Sequence, residues 1–292
     1  MSSVFFQPQN LKQALEYKRD FEEAALLAGG TDLIIAKRSG KDTKKGDLID
    51  LSKINELKTI NVYEDIISVG SMATFSAICD SEILHEKVAF LCQAALSVGA
   101  PQIRNRGTIG GNICNASPAA DGIPPLVCLG AQVNLQSIGK NGEIQSRTLP
   151  IEVFILNKGK TALKNNEILT SIVLKLPSEK TKTRFDKIGR RNALAISRLN
   201  GACLIKMAHD RVEQISLVIG AATSRPERFV VVEDYLTGKK LSDDTLNEAG
   251  RLASDYVLEQ TGRRASSAYK LPVIARFTEA LIKKTLKEED KK

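Results

Sequence analysis

Two glycine pairs set far apart in the chain limit its fold more than any other feature: "AGGTDL" at Ala28–Leu33 and "TIGGNICNASPAADG" at Thr108–Gly122. A glycine pair admits positive φ and lets backbone amides come close to a ligand, and a neighbouring Thr or Asn adds side-chain hydrogen bonds. The two segments therefore read as loops that close like jaws on one anion. Each N–H given to a phosphate oxygen makes a charge-assisted bond of about 1.5–3 kcal/mol, so several of them hold a pyrophosphate without a lysine. Asp32 beside a phosphate is repelled, so its carboxylate is expected to turn away and cap the amides of the following "LIIAKR" turn. Asp121, at the far end of the second segment, is a candidate acceptor for ribose hydroxyls.

The elements around the jaws follow from periodicity and breakers. Leu11–Tyr17 reads as a first helix, and a short strand at Ala24–Ala28 runs into the first glycine pair. Asp47–Ile54 reads as a strand, and Thr59–Gly70 as a hairpin turned at Glu64–Asp65. Helical patterns follow at Phe75–Asp80 and Val88–Val98, the second stopped by Gly99 and Pro101. "PPLVCLG" begins a helix with prolines in its first turn, and Asn141–Gly142 marks a tight hairpin. A strand "ILTSIVLKL" ends at Pro177, where "PSEKTKT" reads as a linker. Beyond it come three antiparallel strands and then helices near Asp243–Gln260 and Ser267–Leu286, an α+β arrangement. The expected division is residues 1–177, with subdomains about 1–56 and 57–177, followed by residues 178–292.

Composition excludes several classes. The 292 residues with 42% hydrophobic content bury an ordinary globular core. No apolar run reaches the ~18 residues of a membrane span, and "MSSVFFQPQNLKQ" lacks the basic-then-apolar order of a signal peptide, so a soluble, cytoplasmic protein is expected. Five cysteines without a C-x-x-C and only two histidines leave no disulfide framework, zinc ribbon or iron–sulfur ligand set. The net charge of +8 is scattered rather than striped, and aromatics make up only 5%, which argues against nucleic acid. G-x-G-x-x-G does not occur, and Gly159-Lys160-Thr161 has Phe154 where a P-loop needs glycine.

"LLAGGTDLI", "GAPQIRNRGTIGGNICNASPAADGIPPL", "EILTSIVLKLP", "FDKIGRRNALAISRLNGA" and "SSAYK" together resemble the FAD-binding subunit of molybdenum-containing hydroxylases, a family that includes the medium subunits of carbon monoxide, nicotinate and xanthine dehydrogenases. The match runs across nearly the whole chain in the correct order. The resemblance implies an α+β fold: a PCMH-type, or vanillyl-alcohol-oxidase-type, FAD-binding domain of two α/β subdomains, and a C-terminal α+β domain of the CO dehydrogenase flavoprotein kind. It implies that Leu26, Leu27, Ala28, Gly29, Gly30, Thr31, Asp32 and Leu33, with Thr108, Ile109, Gly110, Gly111 and Asn112, wrap the FAD pyrophosphate. It places Asp121 near the ribose, and Leu169 and Lys187 along the flavin, with Asp186 as the alternative to Lys187. Val98 falls where some relatives carry an aromatic residue.

The function implied is electron transfer. A large molybdopterin-binding subunit oxidises the substrate, a small subunit with [2Fe–2S] clusters relays the electrons, and FAD held noncovalently in this chain passes them to NAD+ or another acceptor. No side chain stands out as a catalytic acid or base, and none as a metal ligand. Two other readings stay open: a self-sufficient flavin reductase or oxidase of the same fold, and a scaffold that has lost FAD.

Overall fold

The computed structural model describes residues 4–40, 46–191 and 194–287. Contacts group the chain into two units, neither continuous in sequence. One takes Met1–Asp80, Val98–Ala116 and Gly130–Lys175, the other Ser81–Ser97, Ser117–Leu129 and Leu176–Lys292.

The first unit holds two sheets. In the smaller one, strand Leu48–Asp50 lies between Phe5–Phe6 and Ala25–Leu27, all parallel, which leaves Ala25–Leu27 at an edge. Helix Leu11–Asp20 connects the first strand to the edge strand. It starts where the Asn10 side chain accepts from the Gln13 N–H, and Ala14 and Leu15 on its apolar face pack on Ile49 and Ile54. Lys18 on the same helix is buried, and its ammonium donates to the carbonyls of Glu22 at 2.5 Å and Ala24 at 2.7 Å. That pins the entry to the edge strand.

The larger sheet has five antiparallel strands in the order Ile60–Tyr63, Ile66–Gly70, Ile168–Lys175, Gln132–Ile138, Ile144–Pro150. The hairpin at Glu64–Asp65 forms as its sequence predicts, with Glu64 at φ 48°, and the Asn141–Gly142 hairpin likewise, with Gly142 at φ 81°. Alternation buries Ile67 and Val69, while Ile66 is exposed and Ser68 partly so. The central strand carries a bulge between Leu169 and Ser171. The carbonyl of Thr170, at that bulge, accepts from the Ser71 N–H at 3.0 Å.

In the second unit three antiparallel strands, Thr181–Ile188, Leu199–Ala208 and Arg211–Gly220, form one sheet. Helices Asp243–Thr261 and Ser267–Leu286 pack on it, as the sequence predicts, and a short helix Val230–Leu236 that periodicity did not reveal joins them. Glu82–Ser97 and Ile123–Cys128 also belong to this unit. The Gln93 side chain accepts from the Phe185 N–H at 3.0 Å, and the Cys128 thiol lies 3.2 Å from the Ala202 carbonyl. Covered in this way, Leu199–Ile205 is buried without interruption, which is why "LNGACLI" shows no alternation. Among the described residues no helix is long and apolar enough to cross a membrane.

Phe229 is fully buried in the second unit's core, its ring 5.0 Å from Tyr256 at an edge-on 61°. Phe229→Ala is expected to destabilise this unit by about 3–5 kcal/mol, read as the shift in a urea unfolding curve; a loss within a few tenths of a kcal/mol would contradict the packing described.

Candidate functional site

The first jaw is the turn between edge strand Ala25–Leu27 and helix Leu33–Arg38. Gly30 sits at φ 74°, a conformation side chains rarely adopt. Gly29 is required for a different reason: a Cβ there would fall 1.9 Å from the Arg106 carbonyl oxygen, so its backbone lies directly against the segment that leads into the second jaw. Among the described residues no acceptor is assigned to the N–H groups of Gly29, Gly30, Thr31 or Asp32. They are open donors on one short turn.

The Asp32 carboxylate does not cap the following helix, contrary to the sequence expectation. It accepts instead from the Thr31 hydroxyl and the Asn115 side-chain amide, both at 3.3 Å. Turned toward the second jaw, it leaves the amides of its own turn uncovered.

The second jaw differs from its expected form. Thr108–Asn112 is not a loop of free amides but the start of a helix, Ile109–Asn115. The Thr108 hydroxyl accepts from the Gly111 N–H at 3.1 Å, the Ala73 carbonyl from Ile109, the Ser71 carbonyl from Gly110, and the Thr108 carbonyl from Asn112. The amides of Ile109, Gly110, Gly111 and Asn112 are all engaged within the protein, so the second glycine pair gives close approach rather than donors. A Cβ on Gly110 would lie 2.6 Å from the Ser71 carbonyl oxygen. What the second jaw offers a ligand is the buried Asn112 Oδ1, an acceptor without a partner.

Two cavities adjoin along these jaws, both inside the first unit. The larger, about 570 Å³, runs along Gly29–Leu33, Thr108 and Asn112, with Ile35, Phe75, Val98 and Ile103 as apolar walls. The smaller, about 280 Å³, is walled by Leu26, Leu51, Ser71, Met72, Ile168 and Leu169. Leu26, Ala28, Gly111 and Cys114 line both. Of the jaw residues, Leu27 and Ile109 line neither: Leu27 pairs with Asp50 in the sheet and Ile109 is buried in the core. Burial pushes the Cys114 thiol up to about 12, so it stays neutral near pH 7 and acts as wall rather than nucleophile.

Asp121 and Lys187 lie in the second unit, and the structure brings them together. Asp121 is 7% exposed, and its carboxylate accepts from Lys187 Nζ at 2.7 Å, Ser197 Oγ at 2.6 Å and Asn200 Nδ2 at 2.7 Å. Both oxygens thus have donors within the protein. Lys187 also donates to the Ser97 carbonyl at 2.7 Å. Asp186, its neighbour, pairs instead with Lys284 of helix Ser267–Leu286, so of the two alternatives only Lys187 joins Asp121. Sequence reasoning missed Ser197, Asn200 and Ser71. Single polar residues in apolar strands carry no spacing signal, and only folding shows what they meet. No group of three or more His, Cys, Asp or Glu suited to a metal occurs among the described residues.

Comparison with known proteins gives a consistent result. The model of the FAD binding domain in molybdopterin dehydrogenase matches residues 1–177, and that of the CO dehydrogenase flavoprotein C-terminal domain matches residues 184–285. The chain is 32% identical over 272 residues to the nicotinate dehydrogenase FAD-subunit of Eubacterium barkeri, covering 91% of this chain and 90% of that protein. It is 30% identical over 274 residues to a putative xanthine dehydrogenase FAD-binding subunit of Escherichia coli, covering 93% and 92%. A carbon monoxide dehydrogenase structure from Hydrogenophaga pseudoflava shares the fold, with a TM-score of 0.89 at 22% identity over 98% of this chain and 97% of that one.

The two glycines of the first jaw are expected to respond differently to alanine. Gly30→Ala meets the cost of a left-handed residue, about 1–3 kcal/mol, and a tight approach of 3.2 Å to the yielding side chains of Leu27 and Ile34, whereas Gly29→Ala meets backbone, forces the jaws apart and costs more. Urea unfolding of the two variants ranks them; a Gly29→Ala protein as stable as Gly30→Ala would contradict the close approach.

Proposed function

This chain belongs to the family of FAD binding domains in molybdopterin dehydrogenases, and from that premise we propose that it is the FAD-carrying subunit of a multi-subunit molybdenum hydroxylase. In this reading electrons from [2Fe–2S] clusters of a small partner, reduced in turn by a large molybdopterin subunit, pass through this chain to NAD+ or another acceptor. FAD supplies, when bound, a carrier that accepts electrons one or two at a time. The flavin-binding part is taken as residues 1–177 and the C-terminal domain as residues 178–292.

The observation that carries the reading is the match between the first unit's site and the parts of FAD. A diphosphate asks for several N–H donors in one place, and the open amides of Gly29, Gly30, Thr31 and Asp32 line the larger cavity. Hydroxyls of the ribityl or ribose groups ask for acceptors, and Asn112 Oδ1 is a buried acceptor without a donor. A flat heterocycle asks for an apolar slot, and Leu26, Met72, Ile168 and Leu169 supply one next to the jaws. We assign the diphosphate to the Gly29–Asp32 turn and the adenine to the smaller cavity, which puts Leu169 beside the adenine instead of along the flavin, where the resemblance places it. The reactive ring must stay within reach of donor and acceptor, whereas the adenine is inert and suits the smaller pocket.

Lys187, held by Asp121 and the Ser97 carbonyl, is assigned to the flavin end. Its ammonium donates to Asp121 and the Ser97 carbonyl, and Ser197 and Asn200 hold Asp121 in turn, so the charge is fixed in position. Cys114 remains a neutral thiol, and neither histidine lies in a jaw, so FAD is held without a covalent bond.

Two outcomes are expected. Acid precipitation of the flavin-loaded protein releases all of the yellow colour into the supernatant; colour on the washed pellet would contradict noncovalent binding. The purified chain hydroxylates no aldehyde, purine or N-heterocycle by itself and does so only when co-purified with its molybdenum and iron–sulfur partners, followed as product formation with a dye acceptor. Hydroxylation by the single chain would overturn the assignment.

A further inference from the structure

Ser71 lies where the end of strand Ile66–Gly70 meets the second jaw. It is 4% exposed and lines the smaller cavity, yet its hydroxyl has no hydrogen-bond partner among the described residues. Its backbone has no freedom to relieve this. The N–H donates to the Thr170 carbonyl at the sheet bulge, 3.0 Å away, and the carbonyl accepts from the Gly110 N–H at 2.9 Å. A buried polar group left unpaired lowers stability, and native proteins seldom keep one without a reason. Leu26, Leu51, Met72, Ile168 and Leu169 give the cavity apolar walls, and Lys18, Thr161, Lys164 and Asn165 line it as well. Apolar walls with a few polar groups accept a flat base that presents a hydrogen-bonding edge.

We propose that the Ser71 hydroxyl is the specificity contact for the adenine of the bound dinucleotide, pairing with a ring nitrogen or the exocyclic amine. This rests on the assignment of the adenine to the smaller cavity. A hydroxyl suits the task because it donates and accepts, so it serves either group on the purine edge. Ser71 is thereby a position where the apo protein is less stable than it need be and the ligand supplies the missing partner. Its loss acts in opposite directions on the two states.

The test is Ser71→Ala in the full chain, stripped of flavin and titrated with FAD and separately with ADP, which has the adenine and diphosphate but no flavin. The apo variant is expected to melt about 2–4 °C above the wild type, because an unpaired buried hydroxyl has gone. Its dissociation constants for FAD and for ADP are both expected to rise about tenfold, the value of one lost hydrogen bond. A variant that melts below the wild type makes the hydroxyl structural and overturns the proposal. Unchanged affinity for both ligands overturns it too, as does a loss confined to FAD, which would put Ser71 at the flavin end. Wild-type protein that binds neither FAD nor ADP would defeat the reading of the whole site, a result distinct from any of these.

Discussion

The approach of the Gly29 backbone to the Arg106 carbonyl sets the spacing of everything around the site. No side chain fits between them, since even a Cβ would stand 1.9 Å from that oxygen. The contact brings the Gly29–Asp32 turn alongside the helix that begins at Thr108, and the two cavities adjoin along the jaws it draws together. Gly110 does the same on the other side of the second jaw, against Ser71. Glycine is thus used twice for closeness and once, at Gly30, for backbone conformation. The jaws are consequently unlike each other. One presents free donors, and the other is a finished helical turn in which the N–H groups of Ile109–Asn112 already have acceptors.

Much of this was legible in the sequence. The glycine pairs, the hairpins at Glu64–Asp65 and Asn141–Gly142, the three strands after residue 180 and the two long helices all announce themselves through turn residues and periodicity. The second jaw was misread because a Gly-Gly pair argues for a loop, whereas here Thr108 caps a helix in which the pair forms the first turn. The composition of the units was hidden too. Glu82–Ser97 and Ile123–Cys128 carry ordinary apolar helical patterns, and nothing local says that they cover the sheet of Thr181–Gly220 rather than the strands nearest in sequence. Asp121 was singled out as an acceptor for ribose hydroxyls, and its partners Ser197 and Asn200 come from far along the chain, so only the folded structure supplies them.

Each unit thereby prepares a different property. In the first unit the amides of Gly29–Asp32, Asn112 Oδ1 and the Ser71 hydroxyl are polar groups without a partner among the described residues. In the second unit the Asp121–Lys187 pair is held by Ser197, Asn200 and the Ser97 carbonyl, and a hydrogen-bonded buried ion pair resists rearrangement.

The central claim, that the first jaw supplies the donors and the second is a preformed wall, is tested most directly by amide hydrogen exchange on the flavin-free chain with and without FAD. The account predicts fast exchange at Gly29, Gly30, Thr31 and Asp32 that slows markedly once FAD is added. It predicts that Gly110, Gly111 and Asn112 are already protected without FAD and change little. Exchange that is fast at Gly110 and Gly111 in the free protein and slows only with FAD, while the Gly29–Asp32 turn is unaffected, would contradict it.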